Sequence, residues 1–202
     1  MKTLSYSFVI IVVLLTSMAQ ATSLVWIQAI QSQPSSSNSE NLNEAKRLGL
    51  EGKRLFQEGK IKEALPVLHK SLEMKEKLLG KDHPAIATSL YNLGIICLTI
   101  DNIEQGESYF KRALKICEKN IVANQPDDLK EVSILSVLEG LAECYERKTD
   151  WAKSETYQQQ ALARRISTLG TNHTDVGVNL LNLAAIQIEK KNFDKAEQNL
   201  QQ

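Results

Sequence analysis

The chain has 202 residues, of which 43% are hydrophobic and 24% charged, and its 24 basic and 24 acidic side chains balance to a net charge of zero. That length suits one packed domain. The balance argues against a nucleic-acid partner, because phosphate binding needs a basic surplus. Aromatic residues make up only 5%, so the core has to rest mainly on Leu, Ile, Val and Ala.

Residues 1–21 read as a targeting segment. Lys2 is a short basic start, FVIIVVLL at 8–15 is an apolar run, and Ala19 and Ala21 are small residues at the two positions a signal peptidase reads. Cleavage after this segment is one fate. Retention as an anchor is the other, because no charge occurs between Lys2 and Glu40 and a bilayer span needs roughly 20 residues. Either way the remainder is expected to be exported, to a periplasm or outside the cell. Residues 22–40, with SQPSSSNSE at 32–40, read as a polar Ser-rich linker.

From residue 41 onward the chain repeats itself. Leu90, Leu93, Gly94 and Cys97 recur at helical spacing. After a break at Asp101-Asn102 a second helical pattern runs through Ile103, Gly106, Phe110 and Ala113. Aligning on a small residue of the first helix gives Gly52, Gly94, Ala142 and Ala184, at spacings of 42, 48 and 42. Four positions earlier stand Leu48, Leu90, Leu138 and Leu180, and nine positions later Ile61, Ile103, Trp151 and Phe193. Sixteen positions later stand Leu68, Phe110, Gln158 and Leu200. Large residues fill the space between helices and small ones mark close approach. A hairpin with two apolar faces cannot bury both alone, so stacking into a solenoid is expected. The longer third spacing falls at NIVANQPDD, 120–128, where Pro126 predicts a loop.

These positions resemble the tetratricopeptide repeat over nearly all of 41–202. The finer resemblance is to the longer-helix variety of kinesin light chains and many bacterial proteins. It is carried by Leu79-Gly80-Lys81-Asp82-His83-Pro84 with Asn92-Leu93-Gly94, and by Leu169-Gly170-Thr171-Asn172-His173 with Asn182-Leu183-Ala184. The resemblance implies an all-α fold, a right-handed superhelical solenoid of antiparallel helix hairpins. Four repeats are expected, at 41–84, 85–128, 129–175 and an incomplete 176–202. Glu51 stands where the other repeats have leucine, which suits a solvent-facing end. Gln158 and Gln187 stand where apolar residues are usual, which predicts looser packing of the third and fourth repeats. The final helix, from near Asp194, is about half the length of its counterparts, which predicts that the chain is a truncated product or the first part of a longer one.

No catalytic constellation stands out. His83 and His173, 90 residues apart, occupy equivalent loops between repeats, so a structural role is expected. Nothing pairs either with a nucleophile, and no Gly-rich phosphate loop is present. Cys97, Cys117 and Cys144 lack metal-ligand spacing and fall on helical patterns, so they read as small buried hydrophobes, with a single bridge still open. No enzyme activity, cofactor, metal or small-molecule substrate is expected.

What the resemblance implies is a concave groove, lined by the first helix of each hairpin, that binds a peptide or partner protein. The candidates are Lys46, Gly49 and Lys53; then Thr88, Tyr91, Asn92, Ile95 and Thr99; then Ser136, Glu139, Glu143 and Arg147; then Leu181, Asn182 and Ala185. The peptide-binding set chosen from these is Lys46, Lys53, Tyr91, Asn92, Ile95, Thr99, Glu139, Glu143 and Asn182. Asn92 and Asn182 match an asparagine that in this family holds a bound peptide's backbone, an amide being able to donate and accept at once. Tyr91 and Ile95 are the apolar anchors. The groove is expected to be basic at its first end and acidic at its third, suiting a peptide of mixed charge. Two other roles fit: the adaptor part of a larger enzyme, such as a caspase-like peptidase, or a membrane-tethered scaffold if the N-terminal segment is kept. Contact with a membrane is expected only in that last case.

Overall fold

The computed structural model describes residues 36–122 and 134–201. The targeting segment, most of the expected linker and the loop around Pro126 lie outside them. The chain divides into a unit of residues 1–41 and a unit of residues 42–202; the second carries the repeats.

Eight helices follow one another among the described residues: α1 (Ser36–Gln57), α2 (Ile61–Leu79), α3 (Pro84–Thr99), α4 (Ile103–Val122), α5 (Ile134–Arg147), α6 (Trp151–Leu169), α7 (Thr174–Glu189) and α8 (Phe193–Leu200). They pair as four antiparallel hairpins, and each helix from α2 onward packs on the next. The helix α1 begins inside the stretch expected to be linker: SSNSE at 36–40 is helical. Composition alone misassigned it, because Ser and Asn are only mildly unfavourable in a helix that continues into strong formers. The helix α4 likewise runs through Asn120 to Val122, so the expected loop starts later than Asn120.

The turn between the two helices of each hairpin has one recurring constraint. Seven residues after each aligned small residue the backbone is left-handed: Gly59 (φ 75°), Asp101 (60°), Thr149 (56°) and Lys191 (58°). Only the first repeat meets this with glycine. The loops that feed α3 and α7 repeat a different device. His83 Nδ1 accepts from Ala85 N, and His173 Nδ1 from Asp175 N, each at 3.2 Å. Both histidines are therefore helix N-caps. They occupy an orphan backbone donor, which is the structural role the sequence implied.

The core is organised around Phe110, which is fully buried. A Cβ added at Gly94, on α3 of the same repeat, would stand 2.7 Å from its ring, and one added at Gly140, on α5 of the next, also 2.7 Å. Two backbones thus close on one ring. Gly106 brings α4 against α3: a Cβ there would lie 3.4 Å from the Gly94 carbonyl oxygen. In the first repeat Gly52 receives Leu68 in the same way, and Ser71 Oγ donates to the Ala45 carbonyl at 2.6 Å. In the third repeat the register is kept while the chemistry changes. Gln158 is 4% exposed, and its Oε1 accepts from the buried Asn179 Nδ2 at 3.0 Å. The departure read from sequence is thus a buried polar junction, and Asn179 Oδ1 and Gln187 Oε1 are buried without partners among the described residues.

Neighbouring repeats are also clamped by a repeated acid. Glu107 on α4 accepts from Tyr145 Oη and Lys148 Nζ of the next hairpin, each at 2.6 Å, and pairs with Lys111 at 2.5 Å. Glu155, at the equivalent position of the third repeat, accepts from Gln187 Nε2 at 2.5 Å and from Lys190. Tyr145 and Gln187 are equivalent, as are Lys148 and Lys190. Burial would raise the Glu107 carboxyl, but hydrogen bonds from Lys111, Lys148 and Tyr145 outweigh it and hold the group at about 2. Glu155 is lowered for the same reasons: burial opposes, and Lys190 and Gln187 prevail. The three cysteines are free thiols, Cys97 and Cys144 buried and Cys117 half-buried. Burial, reinforced by Glu107 and Glu143, pushes the Cys144 thiol up to about 12.

Two outcomes are expected for stability. Gly94→Ala, Gly140→Ala and Gly52→Ala should each cost about 1–3 kcal/mol in urea unfolding by overpacking, the first two against Phe110 and the third against Leu68. Adding Phe110→Leu should recover part of the loss, so the combined effects will not add. The second outcome concerns acid. The folded carboxyl of Glu107 lies below its ordinary value of 4.5, so its contribution is complete above that value and is lost as pH falls through about 2. Stability should therefore decline between about pH 4.5 and pH 2, and urea midpoints of Glu107→Gln should decline less over that window. Equal declines in both proteins would show that the clamp is not a source of the pH dependence.

Candidate peptide-binding groove

The groove side of the solenoid is set by the first helix of each hairpin, α1, α3, α5 and α7. The register fixed by the Phe110 contact turns one face of each toward the core: Leu90 and Leu93 on α3, Leu138 and Leu141 on α5, and Leu180 and Leu183 on α7 are all buried. The residues between them are half-buried or exposed, except the buried Gly140.

On α3, Tyr91, Asn92 and Ile95 are half-buried, and Thr99 is exposed with its Oγ1 donating to the Ile95 carbonyl at 2.9 Å. Tyr91 and Ile95 pack on the core cluster, and the Tyr91 ring lies 5.8 Å from that of Phe110. The Tyr91 phenol is raised by burial and then by the nearby charges of Glu139 and Glu143, against a hydrogen bond with Ser136. This places Tyr91 beside the acids of the next repeat. Asn92, half-buried, and Asn182, exposed, form no hydrogen bond with other described residues, so both carboxamides are open to a ligand. The equivalent position of the third repeat is Gly140, whose hydrogen faces Phe110. The Phe110 contact thus excludes an asparagine from the middle of the row.

Glu139, Glu143 and Asn182 come together on one cleft of about 550 Å³ between α5 and α7, floored by Trp151 and Gln158 of α6. Glu146, Ala185, Ile186 and Glu189 complete its wall. Arg165, 9% exposed, donates from Nη2 to Glu139 Oε1 at 2.6 Å and from Nη1 to the Asp175 carbonyl at 2.9 Å. Arg147 donates to Glu143 Oε1 at 2.8 Å and to the Leu98 carbonyl of the preceding repeat at 3.0 Å. Both arginines therefore serve as ties between hairpins as well as counter-ions.

Lys46 and Lys53 are exposed on α1, two hairpins away from this cleft. Their neighbours Arg47 and Arg54 are neutralised by Glu44, Glu51 and Glu58, so the positive charge of the first end rests on these two lysines. Gly49 does not face the groove. A Cβ there would lie 3.1 Å from Ser71 Oγ, so it is a packing position against α2. Sequence reading missed Glu146, Trp151, Gln158 and Glu189. Periodicity assigned Trp151 and Gln158 to the core side of α6, and only their juxtaposition with α7 opens them to the cleft. No group of three or more potential metal ligands occurs among the described residues, and no described helix is long and apolar enough to cross a membrane.

The tetratricopeptide repeat pattern matches residues 54–119 and 133–202. The chain belongs to the tetratricopeptide repeat family. Among solved structures it is similar to BtubC (BKLC) from P. vanneervenii, at 20% identity with a TM-score of 0.67, over 78% of this chain and 60% of that one. It is also similar to the nearly identical TPR-like repeats of a Podosopora anserina protein described as a kinesin light chain, at 18% identity with a TM-score of 0.60, over 89% of this chain and 80% of that one. At such identities the likeness concerns the fold: an all-α solenoid of the kinesin light chain-like kind. The chain spans about 60% of the length of the BtubC chain it matches. No curated protein matches it. As a tetratricopeptide repeat protein it has the architecture of a protein-interaction scaffold.

Proposed function

We propose that the protein is a non-catalytic scaffold that binds an extended peptide segment of a partner protein along the face formed by α3, α5 and α7. The observation that carries this reading is the pair Asn92 and Asn182. They stand at the same repeat position, each one repeat away from Gly140, with neither carboxamide hydrogen-bonded among the described residues. A carboxamide can donate to a backbone carbonyl and accept from a backbone amide, so it can hold a peptide irrespective of its side chains. Tyr91 and Ile95 supply apolar surface beside Asn92 on α3, and Glu139 and Glu143 supply charge. Lys46 and Lys53 extend the face toward a carboxylate of the same partner, where rim charges act mainly on rate and orientation. The apolar run at 8–15 supports export, so the partner would be met outside the cytosol; the mass of the mature N-terminus checks that part.

The test is selection of a displayed random 12-residue peptide library on the purified chain, followed by titration of the selected peptides. Asn92→Ala with Asn182→Ala should weaken the selected peptides by about tenfold or more, roughly 1.4 kcal/mol, with the helical signal unchanged. Selected peptides that bind the double variant as tightly as the parent would move the site off this face.

A further inference from the structure

We propose that the outer face of the α7–α8 hairpin docks an α-helix of a partner protein that carries a tyrosine or glutamine and, three residues further on, a lysine. This surface is distinct from the groove, and the inference does not rest on the groove reading.

A solenoid face that stays in water needs polar residues, and this one is apolar. Ile188, Phe193 and Leu200 are 48%, 64% and 57% exposed. Their equivalents in the second hairpin, Leu98, Ile103 and Phe110, are all buried. The second hairpin has a neighbour on that side: α5 packs on α4 and α3, with the Gly140 backbone against the Phe110 ring. The same positions therefore form a contact surface in one hairpin and an open apolar patch in the other, and such a patch marks a docking site.

What covers it is read from the junctions the molecule does make. Thirteen residues after the aligned small residue stand Glu107, Glu155 and Glu197. Glu107 takes Tyr145 and Lys148 from the next hairpin, and Glu155 takes Gln187 and Lys190. Glu197 is exposed, and among the described residues its side chain accepts only from Gln201 of its own turn, at 3.0 Å. It is a third copy of the clamp acid without the donors that the other two receive. Those donors define the partner: a neutral phenol or amide, then an ammonium three residues on. A second copy of this chain does not supply them. Stacked head to tail, its α1 would bring Leu55 and Glu58 to these places. Leu55 has no side-chain donor, and Glu58 is an acid committed to Arg54 and Lys60. Glu58 would stand against Glu197, and like charges in contact oppose docking.

The test titrates a synthetic peptide into the purified, nitrogen-15-labelled full chain. The peptide has the sequence of residues 134–150, which holds the α5 pattern Tyr145 and Lys148. A staple through positions 139 and 143, which line the cleft toward α7, keeps it helical. It should shift the backbone amides of Ile188 and of α8. Lys148→Glu in the peptide should weaken binding about fivefold or more, because an exposed ion pair becomes a like-charge contact. Glu197→Lys in the chain should weaken the parent peptide to the same degree and restore the Lys148→Glu peptide, an exchange that mere loss of folding would not give. Leu200→Asp should abolish the shifts with either peptide. No α8 shift at millimolar peptide, or failure of the charge exchange to restore binding, would overturn the proposal. So would α8 shifts that arise on concentrating the chain alone, with a dimer in sedimentation velocity, since the occupant would then be a second copy. Asn92→Ala with Asn182→Ala should leave this titration unchanged, so failure of the groove reading is read separately.

Discussion

The contact of one aromatic ring with two glycines is the one on which the rest of the solenoid depends. Phe110 is fully buried, with Gly94 and Gly140 pressed on it from adjacent repeats. A phenyl ring buries a large apolar area, and interiors at crystal-like density leave no room for a methyl group beside it. The contact therefore fixes the distance between α3, α4 and α5 at once. Through that distance it sets the register of the leucines beneath the groove and of Tyr91, Asn92 and Ile95 above it. It also explains a gap in the groove: an asparagine cannot stand at the position of Gly140 while Phe110 fills the space behind it.

The next junction keeps the register but exchanges apolar area for polar pairing. Gln158 replaces the aromatic ring and Gln187 the tyrosine, and they bond to Asn179 and Glu155. Such an arrangement fixes geometry through directional bonds, yet each amide left half-satisfied costs about 1–3 kcal/mol. The apolar junction is thus the rigid part of the molecule and the polar one the adaptable part. The cleft that gathers Glu146, Glu189 and Gln158 lies at the adaptable junction, where local opening is cheaper.

The repeats were legible because their signal is redundant. Small residues at Gly52, Gly94, Ala142 and Ala184, with large ones sixteen positions on, specify the same hairpin four times. The capping role of His83 and His173 was legible for the same reason. The start of α1 was not, because SSNSE has a linker's composition and becomes helical only as an extension of the stronger helix formers from Ala45 onward. The groove was half legible. Helical phase grouped Glu139, Glu143 and Asn182, which line one cleft, and added Gly49, which packs on α2. Phase could not reveal Trp151, Gln158 or Glu189 as neighbours, since a cleft between repeats depends on how closely two hairpins approach. That distance is set by buried amide pairs that no single-helix pattern encodes.

Native-state hydrogen exchange of backbone amides, followed helix by helix, tests this division most directly. The account predicts that α3, α4 and α5 exchange only through global unfolding. It predicts that α7 and α8 exchange through a smaller opening at the Gln158–Asn179 junction. Protection of α7 equal to that of α3 and α5, unchanged by Gly140→Ala, would contradict the claim that the Phe110 contact holds the structure together.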